Sequence, residues 1–96
     1  MIEVRETAEY ARWFEKLPDL QAQARVLVRI RRLSLDNPGD VRPVGDGVLE
    51  LRIHYAAGYR VYFTRQSSNT LILLGGGDKR TQDRDIKRAI ELARRL

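Results

Sequence analysis

The sequence predicts an α+β domain of order β-α-α-β-β-β-α, a helical hairpin and a C-terminal helix packed on a small, mostly antiparallel sheet. Three observations carry that prediction. Apolar residues recur at helical spacing up to about Leu33, alternate in twos or run continuously from about Gly47 to Leu74, and return to helical spacing after Gln82. Separate blocks of helix and strand, rather than a regular βαβ alternation, belong to the α+β class. Ninety-six residues leave room for one domain, spanning residues 1–96.

Each element has its own signal. Ile2–Arg5 reads as a short strand. Tyr10, Trp13, Phe14 and Leu17 then fall at i, i+3, i+4 and i+7, the buried face of a first helix. Pro18 stops that helix and Asp19 is placed to N-cap the next, whose Val26, Leu27, Ile30 and Leu33 read as buried before Asn37-Pro38-Gly39 ends it. Arg25, Arg29 and Arg32 share one face of this second helix, which suits either a solvated face or a docking surface for a partner. From about residue 47, Leu49, Leu51 and Ile53 alternate with Glu50, Arg52 and His54, so one strand face is apolar and the other charged. Tyr55–Gly58 is a connection of hairpin length in which Gly58 is free to take positive φ. In the next strand, Tyr59–Arg65, the residues Tyr59, Val61 and Phe63 face one way, and Arg60, Tyr62 and Thr64 the other. Gln66–Asn69 turns the chain into Thr70–Leu74, apolar throughout and therefore a central strand covered on both faces. Gly75-Gly76-Gly77 is expected to close the sheet with a sharp exit. A last helix, about Gln82 to Arg95, buries Ile86, Ala89, Ile90 and Ala93, with Asp83 and Asp85 early and Arg94 and Arg95 late, as the helix dipole favours.

Composition excludes several classes of function. Apolar residues make up 43% and charged residues 32%, the balance of a folding chain. The sequence has no cysteine and one histidine, which excludes a disulfide framework and a thiolate or His-rich zinc site, so no metal or cofactor is expected. No apolar run approaches the roughly 20 residues of a membrane span, and the acidic start Met1-Ile2-Glu3 is unlike a signal peptide. The expected location is cytoplasmic, with no membrane partner. Eighteen basic against thirteen acidic residues give a net charge of +5. Fifteen of the eighteen are arginine, the side chain that reads phosphate with a bidentate fork. Residues 1–40 are neutral, so the whole excess lies in residues 41–96, which points that half toward a polyanion such as nucleic acid.

The candidate chemistry lies in the same half. Same-face residues on antiparallel neighbours sit about 5 Å apart, so Arg52, His54, Arg60 and Tyr62 can share one surface, a solvated sheet face or a phosphate site. His54 is the only imidazole, and a group titrating near neutrality can act as general acid or base while arginines stabilise a phosphorane. That is metal-free ribonuclease chemistry, in which an RNA 2′-OH attacks the adjacent phosphate. Gly75–Thr81 fails the spacing of a P-loop. Its glycines instead leave Lys79, Arg80 and the N–H groups opening the last helix as an expected anion site. Neither a Ser-His-Asp arrangement nor a carboxylate pair is indicated.

Gly45-Asp46-Gly47-Val48-Leu49-Glu50-Leu51-Arg52-Ile53, Gly58-Tyr59-Arg60-Val61-Tyr62-Phe63 and Leu74-Gly75-Gly76-Gly77-Asp78-Lys79-Arg80-Thr81-Gln82 occur in an order that resembles the RelE/ParE toxin superfamily. The likeness is to the HigB-like "addiction module killer" branch related to phage-derived proteins, and it covers essentially the whole chain. It implies a RelE-like fold and the toxin of a type II toxin–antitoxin pair, an mRNA interferase that cuts the codon in the ribosomal A site. It further implies three partners, the ribosome, mRNA and a HigA-like helix-turn-helix antitoxin, and no cofactor. By motif, Arg60 stands where the family has a phosphate-stabilising arginine, and Arg52 and His54 lie on the strand that supplies basic catalytic side chains. Lys79 and Arg80 match the basic pair after the last strand, with Tyr62 as a stacking or supporting residue and Arg65 as a further RNA contact. Several relatives carry a tyrosine or histidine in the C-terminal segment, and this chain has neither after Arg80. The general acid and base thus stay open among His54, Lys79 and an arginine, and Asp85 reads as structural. Two other classes share the pattern: a non-catalytic gyrase poison like the ParE branch, and a basic nucleic-acid-binding module.

Overall fold

A computed structural model describes residues 1–96. The elements run β1 (Glu3–Glu6), α1 (Ala8–Glu15), α2 (Leu20–Ser34), β2 (Val41–Gly45), β3 (Val48–Ile53), β4 (Tyr59–Ser67), β5 (Thr70–Gly77), a 3-10 turn (Lys79–Thr81) and α3 (Gln82–Arg94). The sheet order is β1-β5-β4-β3-β2, with β1 parallel to β5 and every other pair antiparallel. The α+β class and the mostly antiparallel sheet are as the sequence predicts, with one strand more. No helix is long and apolar enough to cross a membrane.

That extra strand is β2. Its Pro43 lacks an N–H, which an edge strand tolerates, and a register shift falls between Pro43 and Gly45. It joins β3 through Asp46-Gly47, both at positive φ (52° and 78°), the combination a two-residue hairpin turn of type I′ requires.

Both faces of the sheet are covered. Tyr10 of α1 and Ala22, Val26 and Leu33 of α2 pack on Leu51, Val61, Phe63, Leu71 and Leu73. On the opposite face, Ala89 of α3 packs with Val48, Tyr62, Ile72 and Leu74. Residues 71–74 thus alternate between two cores, which is why that run is apolar throughout. The helices begin where their caps place them: Thr7 accepts from the Tyr10 N–H at 3.2 Å and Asp19 from the Ala22 N–H at 2.6 Å. Leu27 departs from expectation. One helical step of about 100° from Val26 turns it off the inner stripe, and it is 55% exposed.

The three glycines also depart from expectation. They end β5 rather than leave it. A Cβ on Gly76 would come within 2.4 Å of the Trp13 indole, and one on Gly77 within 1.8 Å of an Asp85 carboxylate oxygen. Their missing side chains let α1 and α3 close onto opposite faces of the same strand end.

Candidate functional site

Arg52 on β3 stands opposite Arg60 on β4, and Arg60 in turn opposite Gly77 on β5. At this end of the sheet Arg52, His54, Arg60 and Lys79 line one depression of about 660 Å³, walled by the hairpin Tyr55–Gly58. Ala56 and Gly58 bend that hairpin at positive φ (49° and 75°), and the Lys79 N–H donates to the Ala57 carbonyl at 3.3 Å. The turn after β5 is thereby tied to the β3–β4 hairpin, and three elements deliver basic side chains to one place. Arg60 Nε is buried there without a hydrogen-bond partner.

Asp40, just before β2, organises one side of the depression. Arg52 donates from Nε and a terminal nitrogen to one Asp40 carboxylate oxygen at 3.1 and 2.9 Å, and His54 Nε2 lies 2.5 Å from the other oxygen. Arg52 first, and His54 after it, hold the Asp40 carboxyl below its ordinary value. The backbone of Asp40 is itself clamped. Arg29 of α2 donates to the carbonyls of Arg52 at 2.5 Å, Pro38 at 2.9 Å and Asp40 at 3.5 Å. Burial, with Arg32 nearby, pulls the Arg29 pKa down. Arg29 is therefore a half-buried strut, unlike the exposed Arg25, whose guanidinium rests 4.7 Å above the Tyr55 ring. With Arg52 committed to Asp40, Arg60 and Lys79 are the cations lining the depression that have no carboxylate partner.

Tyr62 lies under α3, fully buried, and its hydroxyl donates to Glu50 at 3.1 Å. Stacking on a base requires an exposed ring face, which Tyr62 lacks, so only the supporting role is open to it. Glu50, read from sequence as part of a charged face, is fully buried as well. It accepts from Arg42 Nε at 2.9 Å and Gln82 Nε2 at 2.8 Å in addition to Tyr62. Burial pushes the Glu50 carboxyl up, and the three donors outweigh it, leaving the group below its ordinary value. Burial likewise raises Tyr62, reinforced by the adjacent Glu50 charge. One carboxylate thus joins β2, β3, β4 and α3 behind the basic cluster. Asp85 accepts from Thr81 and lies 3.8 Å from Arg84, with burial raising its pKa.

The remaining expected residues lie apart. Arg80 points outward, 85% exposed, and contacts Asp78 at 3.4 Å. The Arg80 N–H is already taken by the Asp78 carboxylate at 2.8 Å, which caps the turn, so that donor is not open to an external anion. Arg65 sits toward the far end of β4, where it donates to the Ser68 carbonyl at 3.0 Å, and does not join the cluster. Sequence reasoning missed Asp40, Glu50 and Arg29. The signal for Asp40 is the Asn37-Pro38-Gly39-Asp40 turn and for Glu50 its place as the one acidic residue of β3, while nothing in the sequence sets Arg29 apart from the other arginines of α2.

Two comparisons bear on identity. The family model described as "Phage derived protein Gp49-like (DUF891)" matches residues 12–96. A protein of Haemophilus influenzae described as uncharacterized is 47% identical over 95 residues, covering 99% of this chain and 96% of its own. The chain belongs to the phage-derived Gp49-like family, a family of RelE-like toxins.

Proposed function

We propose that the protein is the toxin of a type II toxin–antitoxin pair, of the HigB-like branch, and stops translation by cutting mRNA on the ribosome. The convergence of Arg52, His54, Arg60 and Lys79 on one depression carries this reading. In the proposed reaction the scissile phosphate rests on Arg60 and Lys79, whose charges offset the negative charge that builds on the phosphorane. The Asp40–His54 contact directs Nε2–H at the carboxylate, which leaves Nδ1 to take the proton of the 2′-OH. The 2′ oxygen attacks the adjacent phosphorus, the bond to the 5′ oxygen breaks, and Lys79 protonates that leaving oxygen. The products are a 2′,3′-cyclic phosphate and a 5′-hydroxyl, with no metal or cofactor in the balance.

The other residues serve around this centre. Arg52 holds Asp40, Tyr62 and Glu50 brace the sheet behind Arg60, and the exposed Arg80 and Arg65 meet RNA phosphates of the message or the ribosome. A HigA-like helix-turn-helix antitoxin keeps the toxin silent. This reading locates the protein in the cytoplasm.

Induction in cells tests it. The expected result is growth arrest with mRNAs cut within codons, relieved by Arg60→Ala in a protein that keeps its fold. Continued arrest by folded Arg60→Ala would overturn the mechanism, and inhibited gyrase supercoiling with intact mRNA would replace it with the gyrase-poison reading.

A further inference from the structure

Helix α2 has a second apolar side that nothing in the fold covers. Its inner stripe, Ala22, Val26 and Leu33, is buried against the sheet. On the outer side Leu20 is 82% exposed, Leu27 55%, Val28 58% and the C-capping Leu35 51%. These residues fall on two parallel rows of i+4 spacing, Leu20–Ala24–Val28 and Leu27–Arg31–Leu35. Beside the first row, Ala24 and Val28 together with Ile53 and His54 bound a groove of about 480 Å³ edged by Arg25 and Arg29.

We infer that this face is the docking surface for an acidic amphipathic helix of the partner chain, an inference that rests on the toxin–antitoxin reading for the partner's existence. Rows of i+4 spacing are the ridges between which a second helix seats its own ridge. The 15 residues of α2 make a track about 22 Å long, room for about four turns of a bound helix. Charge selects the occupant. α2 carries no acidic residue and exposes Arg25, Arg31 and Arg32, so the polar flanks of the bound helix must be acidic. A second copy of this chain would set arginine rim against arginine rim, which disfavours a homodimer through α2. Ile53 and His54 line both this groove and the basic depression. A helix seated here therefore has acidic side chains beside His54, and docking and silencing become one event.

The test uses the full chain and two synthetic helical peptides of about 20 residues with leucine at i, i+3, i+4 and i+7. One fills the remaining positions mainly with glutamate, the other with lysine. In a backbone amide NMR titration the glutamate peptide is expected to bind and to shift Ala24, Val28, Ile53 and His54, while the lysine peptide does not bind. Val28→Glu is expected to weaken the glutamate peptide at least about tenfold, a loss of about 1.4 kcal/mol, without disturbing the rest of the spectrum. No binding by the glutamate peptide, equal binding to Val28→Glu, equal binding of both peptides, or a concentration-dependent dimer that shifts the same amides would each overturn the inference. The readout is independent of RNA cleavage, so loss of the nuclease reading and loss of the docking surface are told apart.

Discussion

Asp40 and His54 meet at 2.5 Å, carboxylate oxygen to Nε2, while Arg52 occupies the other oxygen of the same carboxylate. A single aspartate thus orients the chain's only imidazole and restrains an arginine, and does so from a loop held by Arg29. Asp40 touches no substrate in the proposed reaction and acts by positioning.

Asp40→Ala is expected to leave the fold intact and lower mRNA cleavage about a hundredfold, the scale of a positioned acid–base group. Because the substitution acts through His54, it should also change the pH profile of cleavage in the way His54→Ala does. An unchanged rate and profile in the folded variant would remove Asp40 from the mechanism.

Glu50→Leu deprives the buried Tyr62 hydroxyl and the Gln82 amide of their acceptor. The expected loss of stability is about 2–4 kcal/mol, read from urea unfolding. Arg42 contributes little to that figure, since its side chain is 48% exposed and solvent takes over its charge. A loss below about 1 kcal/mol would mean that the network positions residues without stabilising the fold.

The pH dependence follows from the same carboxylates. Glu50 and Asp40 are both held below their ordinary values, so as pH falls the unfolded chain takes up protons before the folded one. Their contribution is fully present above about pH 5, clear of both unfolded values, and is lost as pH falls through the folded values. Asp85 has the opposite sign: its raised value makes ionisation at neutral pH a cost to the folded state. The urea midpoint is expected to fall between neutral pH and about pH 3 in the native chain and to fall less in Glu50→Gln. Parallel curves for the two proteins would assign the acid sensitivity elsewhere.

Gly76→Ala and Gly77→Ala address the strand end beneath α1 and α3. Each added methyl meets a side chain that must move, the Trp13 indole for Gly76 and the Asp85 carboxylate for Gly77. Destabilisation of about 1–3 kcal/mol is expected for each, measured by thermal or urea unfolding. Gly75→Ala is the control, because an added Cβ there has its nearest neighbour at 3.9 Å, and an equal loss at that position would show that crowding against Trp13 and Asp85 is not the cause.

The helices and the strands β3, β4 and β5 were legible because their evidence is local. Tyr10, Trp13 and Phe14 betray one helical face, and Leu49, Leu51 and Ile53 one strand face, whatever else the chain does. β2 was not, because Pro43 and Gly45 erase the alternation of a short strand that has only one neighbour. The Asp46-Gly47 turn was the signal left for it. The same division runs through the candidate site. Arg52, His54 and Arg60 could be assigned to one sheet face from strand period, and Lys79 to the exit of the last strand from the glycines before it, whereas Tyr62, on that same face, could not be known to lie under a helix.

By itself the sequence determined the order of every element but β2, the two-faced character of the strand at residues 70–74, and the concentration of positive charge in the second half. Those follow from the spacing of side chains along a backbone of known period. Tertiary structure alone decided that Glu50 is buried and satisfied, that Asp40 holds both Arg52 and His54, that Arg29 is a strut, and that the glycines serve as clearance for Trp13 and Asp85. Period assigns a residue to a face, but only the packing of distant elements decides what covers that face, and so whether a charge there meets water, a partner or a substrate.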